Sequence, residues 1–319
     1  MSAPLLVVEN LQTRFYTRAG MVKAVDGVAF TLGHGETLAI VGESGCGKSV
    51  TALSLMRLVA DPPGRIVGGS VRLEGTELLA LDEPAMRRVR GKLVSMIFQE
   101  PMTSLNPVMT IGRQIGESLV LHEGLSRRAA LARAVELLQL VGIPEPAQRA
   151  REYPHQLSGG MRQRAMIAMA LACRPRVLIA DEPTSALDVT IQAQILELIG
   201  RLQHELGTAM IMITHDLGVV AEIAERVIVM YAGRKVEEAA VGELFARPLH
   251  PYTRGLMNSI PRGAAARLQE IPGMVPALSH LPPGCAFAPR CPQATAKCRS
   301  MDIPYEEKRP GHWAACLYT

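Results

Sequence analysis

A glycine-rich stretch near the start of the chain has the residue types that bind the phosphates of a nucleotide. It follows an apolar run at 38–41, precedes a helical pattern, and consists of Gly42, Glu43, Ser44, Gly45, Cys46, Gly47, Lys48, Ser49 and Val50. The glycines let backbone N–H groups point at phosphate oxygens, the lysine reaches the β- and γ-phosphates, and the Ser49 hydroxyl suits Mg²⁺. A Gly-rich turn is the simpler alternative, but every fixed position of a P-loop is present. We therefore expect a nucleoside triphosphate and Mg²⁺ here.

Two neighbouring carboxylates follow a second apolar run. Residues 177–180 are all apolar and are followed by Asp181 and Glu182. Such a run is typical of a buried parallel strand, which would place both carboxylates at its carboxyl end. We expect Asp181 to hold Mg²⁺ through water and Glu182 to polarise the water that attacks the γ-phosphate. An Asp-Glu-Pro sequence can also simply begin a loop, and the upstream P-loop favours the metal site.

A second candidate anion site lies at Ser158, Gly159 and Gly160, directly before a long apolar helical run. A helix N-terminus carries unpaired N–H groups and partial positive charge, and glycines let a phosphate approach closely. Since the P-loop already serves one nucleotide, this second site is expected to serve a neighbouring molecule.

With these motifs in view, the chain resembles the ATP-hydrolysing subunit of ABC transporters from about Leu5 to the C-terminus. The stretch Leu157–Met161 resembles the signature of that family, with methionine where glutamine is commoner. Gln99 resembles the glutamine that senses Mg²⁺ and the membrane subunits. Ser185 to Asp188 resembles the D-loop, and His215 is similar to the histidine that contacts the γ-phosphate.

The resemblance implies roles for particular residues. The catalytic set is Glu182, His215 and Gln99, while Mg²⁺ is held by Ser49, Gln99 and Asp181. The family also stacks one aromatic side chain on adenine, and this chain has few aromatic residues, so Phe15 and Tyr16 are the two candidates. Asp188 and the signature residues join the nucleotide-binding set.

The elements that must position these residues belong to an α/β fold. Alternating segments at 5–41, 69–78 and 92–98 predict a mixed sheet around the P-loop helix, and residues 111–172 have a helical pattern. In one of those helices Leu131, Val135, Leu138 and Leu140 are spaced for an apolar face. The resemblance implies a P-loop ABC ATPase with a mixed β-sheet core and a helical subdomain at about 100–172. We expect an ATPase domain at 1–245 and a small Cys-rich C-terminal extension at 246–319.

The extension carries four of the six cysteines. Cys285, Cys291, Cys298 and Cys316 are separated by five, six and seventeen residues. Little apolar sequence surrounds them, so the tail needs a cross-link in order to fold. A reducing cytoplasm favours a metal over disulfides as that cross-link. Zinc sites usually use closely spaced pairs, whereas [4Fe–4S] ligation tolerates varied spacing. The tail also resembles that of dipeptide and oligopeptide permease ATPases, some of which hold a [4Fe–4S] cluster. We expect a structural [4Fe–4S] cluster, with Zn²⁺ or no metal as alternatives.

Composition excludes other classes. The chain has 319 residues and a net charge of +4 that is not concentrated into long runs, so a nucleic-acid partner has little support. No apolar run approaches the length of a bilayer span, and the first residues lack the pattern of a signal peptide. We expect a peripheral protein at the cytoplasmic face of the inner membrane.

The function expected from these features is that of an ABC importer ATPase. It should pair with a second ATPase, a paralogue or a second copy, and bury Mg-ATP between the P-loop of one chain and the signature of the other. Its further partners are two membrane permease subunits and, indirectly, an extracytoplasmic solute-binding protein. Di- or oligopeptides are the expected cargo, with nickel chelates or another solute as the alternative. A soluble ABC ATPase of DNA repair or translation, or an exporter subunit, agrees less well with the single cassette and the cysteine-rich tail.

Overall fold

The computed structural model describes residues 3–18, 20–185, 188–259 and 271–319. The chain divides into two compact units. The P-loop unit comprises Met1–Gly33, Thr37–Leu79 and Ile213–Thr319, and the helical unit comprises His34–Glu36 and Ala80–Met212. The predicted extension at 246–319 therefore falls in the same unit as the P-loop, while a domain boundary at residue 245 stays a prediction.

The strands, in chain order, are β1 Leu6–Thr17, β2 Gly20–Leu32, β3 Thr37–Val41, β4 Gly64–Leu73, β5 Thr76–Glu77, β6 Val94–Ile97, β7 Val177–Asp181, β8 Ala209–Ile213, β9 Arg226–Tyr231, β10 Arg234–Ala240, β11 Glu306–Arg309 and β12 His312–Ala314. The α-helices are α1 Lys48–Leu55, α2 Glu83–Val89, α3 Pro101–Ser104, α4 Ile111–Glu123, α5 Arg127–Leu140, α6 Pro146–Arg149, α7 Gly159–Leu171, α8 Val189–Leu206, α9 Leu217–Ile223, α10 Val241–Ala246, α11 Pro251–Asn258 and α12 Ala296–Ser300.

The P-loop unit contains strands of two sheets. An antiparallel sheet has the order β2-β1-β4-β5, and a mixed set has the order β11-β12-β10-β9-β3. In the mixed set β3 pairs in parallel with β9, and β9 pairs antiparallel with β10 as a hairpin. All five residues of β3 are buried, which explains why this strand is a continuous apolar run rather than an alternating one.

The helical unit pairs β6 in parallel with β7, and all five residues of β7 are buried. Its helix α5 does form, but the predicted apolar face is right only in part: Leu138 is buried, as predicted. Leu131 and Leu140 are 42% and 41% exposed, and the buried positions are Ala130, Ala134, Leu137 and Leu138. The reason is the close approach of α4: a Cβ on Gly116 would lie 3.4 Å from the Ala130 Cβ. The small Ala130 therefore packs against Gly116 of α4, whereas Leu131, which lies beside Gly112 of α4, keeps an exposed surface.

Within the P-loop unit, the C-terminal residues build a core together with strands β9 and β10. Strand β12 pairs with β10, with Glu237 opposite Ala314, so the tail adds an edge to the mixed sheet. Tyr252, Met257 and Phe287 pack with Tyr231 and other buried side chains of β9. The expectation that the tail has too little apolar sequence for a core is therefore wrong, because β9 and β10 supply the missing half. Among the described residues, no helix has the length and apolar character needed to cross a membrane.

Candidate nucleotide-binding site

The P-loop joins β3 to α1, and its conformation requires glycine. Gly47 has φ +103°, and a Cβ there would lie 2.2 Å from the carbonyl oxygen of Ala24. Gly45 has φ +78° with open space where a Cβ would stand, and Ser44 beside it is exposed. The loop is therefore tightly packed on its inner side and accessible on its outer side, as a cradle for phosphate oxygens needs to be.

Lys48 is held at the mouth of this loop. Its side chain is buried, at 5% exposure, and Nζ donates to the carbonyl oxygens of Gly42 and Glu43 at 2.7 and 3.2 Å. Helix α1 begins at this residue with no side-chain cap and no acidic residue in its first turn. An ammonium group and an uncapped helix N-terminus together favour an external anion.

Cys46 is a packed residue of the loop. It is fully buried, and burial raises the pKa of its thiol, with the nearby Lys48 opposing the shift. The side chain therefore stays a neutral thiol that packs inside the loop. Ser49 and Val50 continue the chain into the first turn of α1.

The predicted carboxylates lie where β7 ends in the helical unit. Asp181 is the last residue of β7 and is 5% exposed. Glu182 follows with φ +44°, an unusual conformation for a residue other than glycine and one that often marks a functional site. Gln99 follows the neighbouring parallel strand β6, and its Nε2 donates to Glu182 Oε2 at 3.1 Å. The structure thus brings Gln99 and Glu182 together.

His215 follows β8 and belongs to the P-loop unit, where its side chain is exposed. The residue before it, Thr214, donates its N–H to the Ile40 carbonyl of β3 at 3.3 Å and accepts from Asp216 N at 3.0 Å. These bonds fix the backbone on both sides of His215. Its predicted role at the γ-phosphate stays a prediction.

The signature residues form the start of α7, as predicted. Ser158 is the N-cap, and its Oγ accepts from Met161 N at 3.4 Å, while a Cβ on Gly159 would meet no atom within 4 Å. The first turn of α7 has no acidic residue. Sequence reasoning did not identify Gln163, which is 1% exposed and donates to the carbonyl of Pro183, one residue after Glu182. This bond ties the signature helix to the segment that follows the carboxylates.

Asp188 is the N-cap of α8, with Oδ1 accepting from Ile191 N at 3.0 Å. Ala186 and Leu187 of the predicted D-loop lie outside the described residues. At the N-terminal sheet, Tyr16 is 55% exposed, whereas Phe15 is half-buried against Gly64 of β4. Adenine stacking stays a prediction for both aromatic residues.

The iron–sulfur prediction for the cysteines is wrong. All six cysteines are unbridged, and Cys285, Cys291, Cys298 and Cys316 line one pocket of only 20 Å³. Within the described ranges, no group of three or more His, Cys, Asp or Glu side chains is arranged to hold a metal ion. The zinc alternative has no support from these residues either. The core that Tyr252 and Phe287 form with Tyr231 stabilises the tail in place of the expected cross-link.

Comparisons with known proteins agree with the geometry of the P-loop and the signature. Residues 25–185 match the family described as ABC transporter, and residues 236–298 match the C-terminal region of oligopeptide/dipeptide transporters. The chain is 59% identical over 315 residues to the probable peptide ABC transporter ATP-binding protein y4tR of Sinorhizobium fredii, covering 98% of this chain and 94% of that protein. It is 57% identical over 315 residues to the oligopeptide transport ATP-binding protein AppD of Bacillus subtilis, covering 98% and 96%.

A solved structure has the same fold. The ATP-binding cassette MJ0796, determined as a dimer in a post-hydrolysis state bound to ADP and Pi, superposes with a TM-score of 0.66 at 28% identity. The match covers 74% of this chain and 98% of that cassette. The fold class and the resemblance drawn from the motifs are confirmed.

Proposed function

We propose that this chain, which belongs to the ABC transporter ATP-binding family, is the ATPase subunit that drives import of di- or oligopeptides. The observation that carries the proposal is the P-loop, in which the buried Lys48 lies over a loop shaped by glycines. Two relatives that match nearly the whole chain are named for peptide or oligopeptide transport. The match of residues 236–298 to the C-terminal region of oligopeptide/dipeptide transporters supports the same cargo.

The P-loop would bind the triphosphate of ATP through its backbone N–H groups and the Lys48 ammonium, which would exchange its contacts with the Gly42 and Glu43 carbonyls for phosphate oxygens. Ser49, Gln99 and Asp181 would hold Mg²⁺, which neutralises charge on the β- and γ-phosphates when bound. These side chains offer a hydroxyl, an amide and a carboxylate oxygen, the ligands that this hard cation prefers. Because the amide nitrogen of Gln99 faces Glu182, its amide oxygen is the atom that suits a cation.

Glu182 would act as the general base. Its carboxylate would take a proton from a water molecule while the water oxygen attacks the γ-phosphorus and ADP leaves. The Gln99 amide orients the Glu182 carboxylate, and His215 would donate a hydrogen bond to a γ-phosphate oxygen. Asp188 and one of Phe15 and Tyr16 complete the proposed nucleotide contacts.

A second ATPase subunit, either a paralogue or a second copy of this chain, would complete each site. The N-terminus of α7, with Ser158, Gly159 and Gly160, presents N–H groups and no acidic residue, as a site for a partner's phosphates requires. The dimeric form of MJ0796 supports this pairing.

A groove on the helical unit is the proposed contact for the membrane permease subunits, at the cytoplasmic face of the membrane. It has a volume of 690 Å³ between α4 and α5, and its lining includes Met109, Arg113, Val120, Leu121 and Leu131. Leu121 is 69% exposed and the neighbouring Val108 is 78% exposed. Large exposed apolar side chains rimmed by charge are typical of a protein-binding surface, and a short permease segment is the occupant that fits the relatives' transport names.

The proposed function is tested by uptake of a labelled oligopeptide in cells that carry Lys48→Ala in place of the native chain. Loss of the ammonium should abolish both ATP binding and uptake, whereas Lys297→Ala, a change at an exposed lysine, should leave both unchanged. Peptide uptake that persists with Lys48→Ala contradicts the function. If uptake of a nickel chelate is lost instead, the family function stands and the peptide cargo is wrong.

A further inference from the structure

An ion pair joins the C-terminal extension to the P-loop. Arg290 Nη1 and Nη2 donate to the two carboxylate oxygens of Glu43 at 2.6 and 2.9 Å. The Arg290 side chain is 4% exposed and that of Glu43 is 28% exposed. A bidentate guanidinium–carboxylate pair fixes orientation as well as distance, and partial burial shields it from water and salt.

The guanidinium is also held from its other side. Its Nε donates to the Pro272 carbonyl at 3.0 Å and its Nη2 to the Ile271 carbonyl at 3.2 Å. Its Nη1 lies 3.4 Å from the hydroxyl of Tyr231. Arg290 is thus a fixed group of the extension, and the Glu43 side chain is held against a rigid partner.

Tyr252 gives the extension a second contact with the same P-loop residue. Its hydroxyl accepts the backbone N–H of Glu43 at 2.7 Å. Its ring is fully buried and packs on Tyr231 and Phe287, with ring centroids 4.6 and 5.4 Å away. Burial raises the pKa of Tyr252, so the hydroxyl stays protonated and neutral.

Glu43 is therefore shared between the extension and the phosphate-binding lysine. Arg290 holds its side chain, Tyr252 holds its N–H, and its carbonyl oxygen accepts from Lys48 Nζ at 3.2 Å. A shift of the Glu43 backbone would move an atom that Lys48 contacts. This arrangement connects the extension to the position of the lysine through a single residue.

We propose that Arg290 and Tyr252 are positioning residues that hold the first half of the P-loop in the conformation that binds ATP. The C-terminal extension then sets the affinity for ATP, in addition to any role it has in transport. This inference rests on the proposed ATP site at the P-loop. A purely structural pair, which only attaches the extension, would leave the affinity unchanged.

The inference is tested with the purified full-length chain by measuring the Kd for ATP, KM and kcat. Arg290→Ala should raise the Kd and KM for ATP about tenfold, because a charge-assisted pair that holds the loop is lost. The kcat should change by less than about twofold, since Glu182 and Gln99 are untouched. Arg290→Lys should restore only part of the affinity, because an ammonium cannot bind both carboxylate oxygens at once.

Two further variants keep the test decisive if Arg290→Ala does not fold. Tyr252→Phe keeps the buried ring and removes only the acceptor hydroxyl, and Glu43→Gln changes the pair from the P-loop side. Each should weaken ATP binding several-fold, and Glu43→Gln combined with Arg290→Ala should be no weaker than the poorer single variant, since both remove the same pair. Arg309→Ala, at an exposed arginine of the extension, is the matched control and should bind like the wild type.

The outcomes separate the two proposals. If Lys48→Ala retains ATP binding, the proposed ATP site is wrong. If Lys48→Ala loses binding while folded Tyr252→Phe and Glu43→Gln bind ATP like the wild type, the ATP site stands and the positioning role is overturned. A lowered melting temperature with unchanged Kd in these variants would show that the contact serves only to attach the extension.

Discussion

Gln99 Nε2 donates to Glu182 Oε2 at 3.1 Å, which joins the segment after β6 to the segment after β7. The two strands are parallel neighbours, so their carboxyl ends lie at one edge. The bond orients the carboxylate that we assign as the general base, and Glu182 also has an unusual backbone conformation. Removing the charge of Glu182 should therefore impair catalysis more than it lowers the stability of the fold.

The first prediction concerns Glu182→Gln. Removing the carboxylate should lower kcat by about 10² to 10⁴, the usual contribution of a general base, and leave the affinity for ATP within about twofold. Phosphate release and binding of a fluorescent ATP analogue measure the two quantities. Glu222→Gln, at an exposed glutamate of α9, is the control. Unchanged hydrolysis by Glu182→Gln would remove this residue from its assigned role.

The second prediction concerns the signature. Ser158→Arg places a bulky side chain where a partner's phosphate should approach, so hydrolysis should fall at least about tenfold while each chain still binds ATP through its own P-loop. Ser158→Thr keeps a hydroxyl that can cap α7 and should remain close to the wild type. Binding is measured by equilibrium dialysis and hydrolysis by phosphate release. If Ser158→Arg lost ATP binding, the assignment of this serine to the nucleotide of a partner chain would be wrong.

The third prediction concerns the buried pair that joins β12 to β10. His312 Nε2 lies 2.7 Å from Glu237 Oε1, with the two side chains 1% and 0% exposed. The Glu237 carboxylate also accepts from the N–H groups of Leu249 and His250, which directly precede α11. His312→Ala leaves a buried carboxylate with fewer partners, so unfolding in urea should require about 3–5 kcal/mol less free energy. His204→Ala, at an exposed histidine, should change it by less than about 0.5 kcal/mol.

A result for His312→Ala within the range of that control would mean that Glu237 is satisfied by its backbone contacts alone. The pair would then not hold the extension to the sheet. The same urea curves also report whether unfolding stays a single transition in the variant.

The fourth prediction concerns pH. Burial, together with the carboxylate of Glu123, raises the pKa of Cys173 to about 11. The thiolate is the reactive form, so at pH 8 its fraction should be about a hundredfold below that of an ordinary cysteine, and the alkylation rate should rise about tenfold per pH unit up to pH 10. Iodoacetamide labelling followed by peptide mass spectrometry measures this rate, with glutathione as the reference thiol. A rate that levels off near pH 9 would contradict the raised pKa.

Local patterns were sufficient for the motifs. The P-loop, the strand before Asp181 and the start of α7 each depend on a few consecutive residues, whose backbone geometry is fixed by glycine, by burial or by a capping serine. Helix α8 ends at Gly207, because glycine adopts the left-handed conformation of this cap, with φ +63°, without a steric penalty. The comparisons confirm the family and the fold class that these patterns predicted, and the individual site roles stay predictions.

Patterns failed where the environment came from distant segments. The spacing of Leu131 and Leu140 predicts that both are buried, but both are exposed, while Ala130 packs against Gly116 of α4. When the tail is considered alone, its cysteines resemble a set of metal ligands that would cross-link it. The apolar surface on which the tail packs, and which makes a cross-link unnecessary, lies on β9, earlier in the chain.

The sequence by itself predicted which residues bind phosphate and which carboxylate activates the attacking water, and it identified the family that the comparisons confirm, because these chemistries require particular residues at short spacings. Only the tertiary structure showed that Arg290 meets Glu43 across 247 residues, and that the tail packs on the hairpin rather than around a cluster. The physical reason is that a buried ion pair or an aromatic core is defined by groups brought together in space. Their separation along the chain leaves no local pattern from which to predict them.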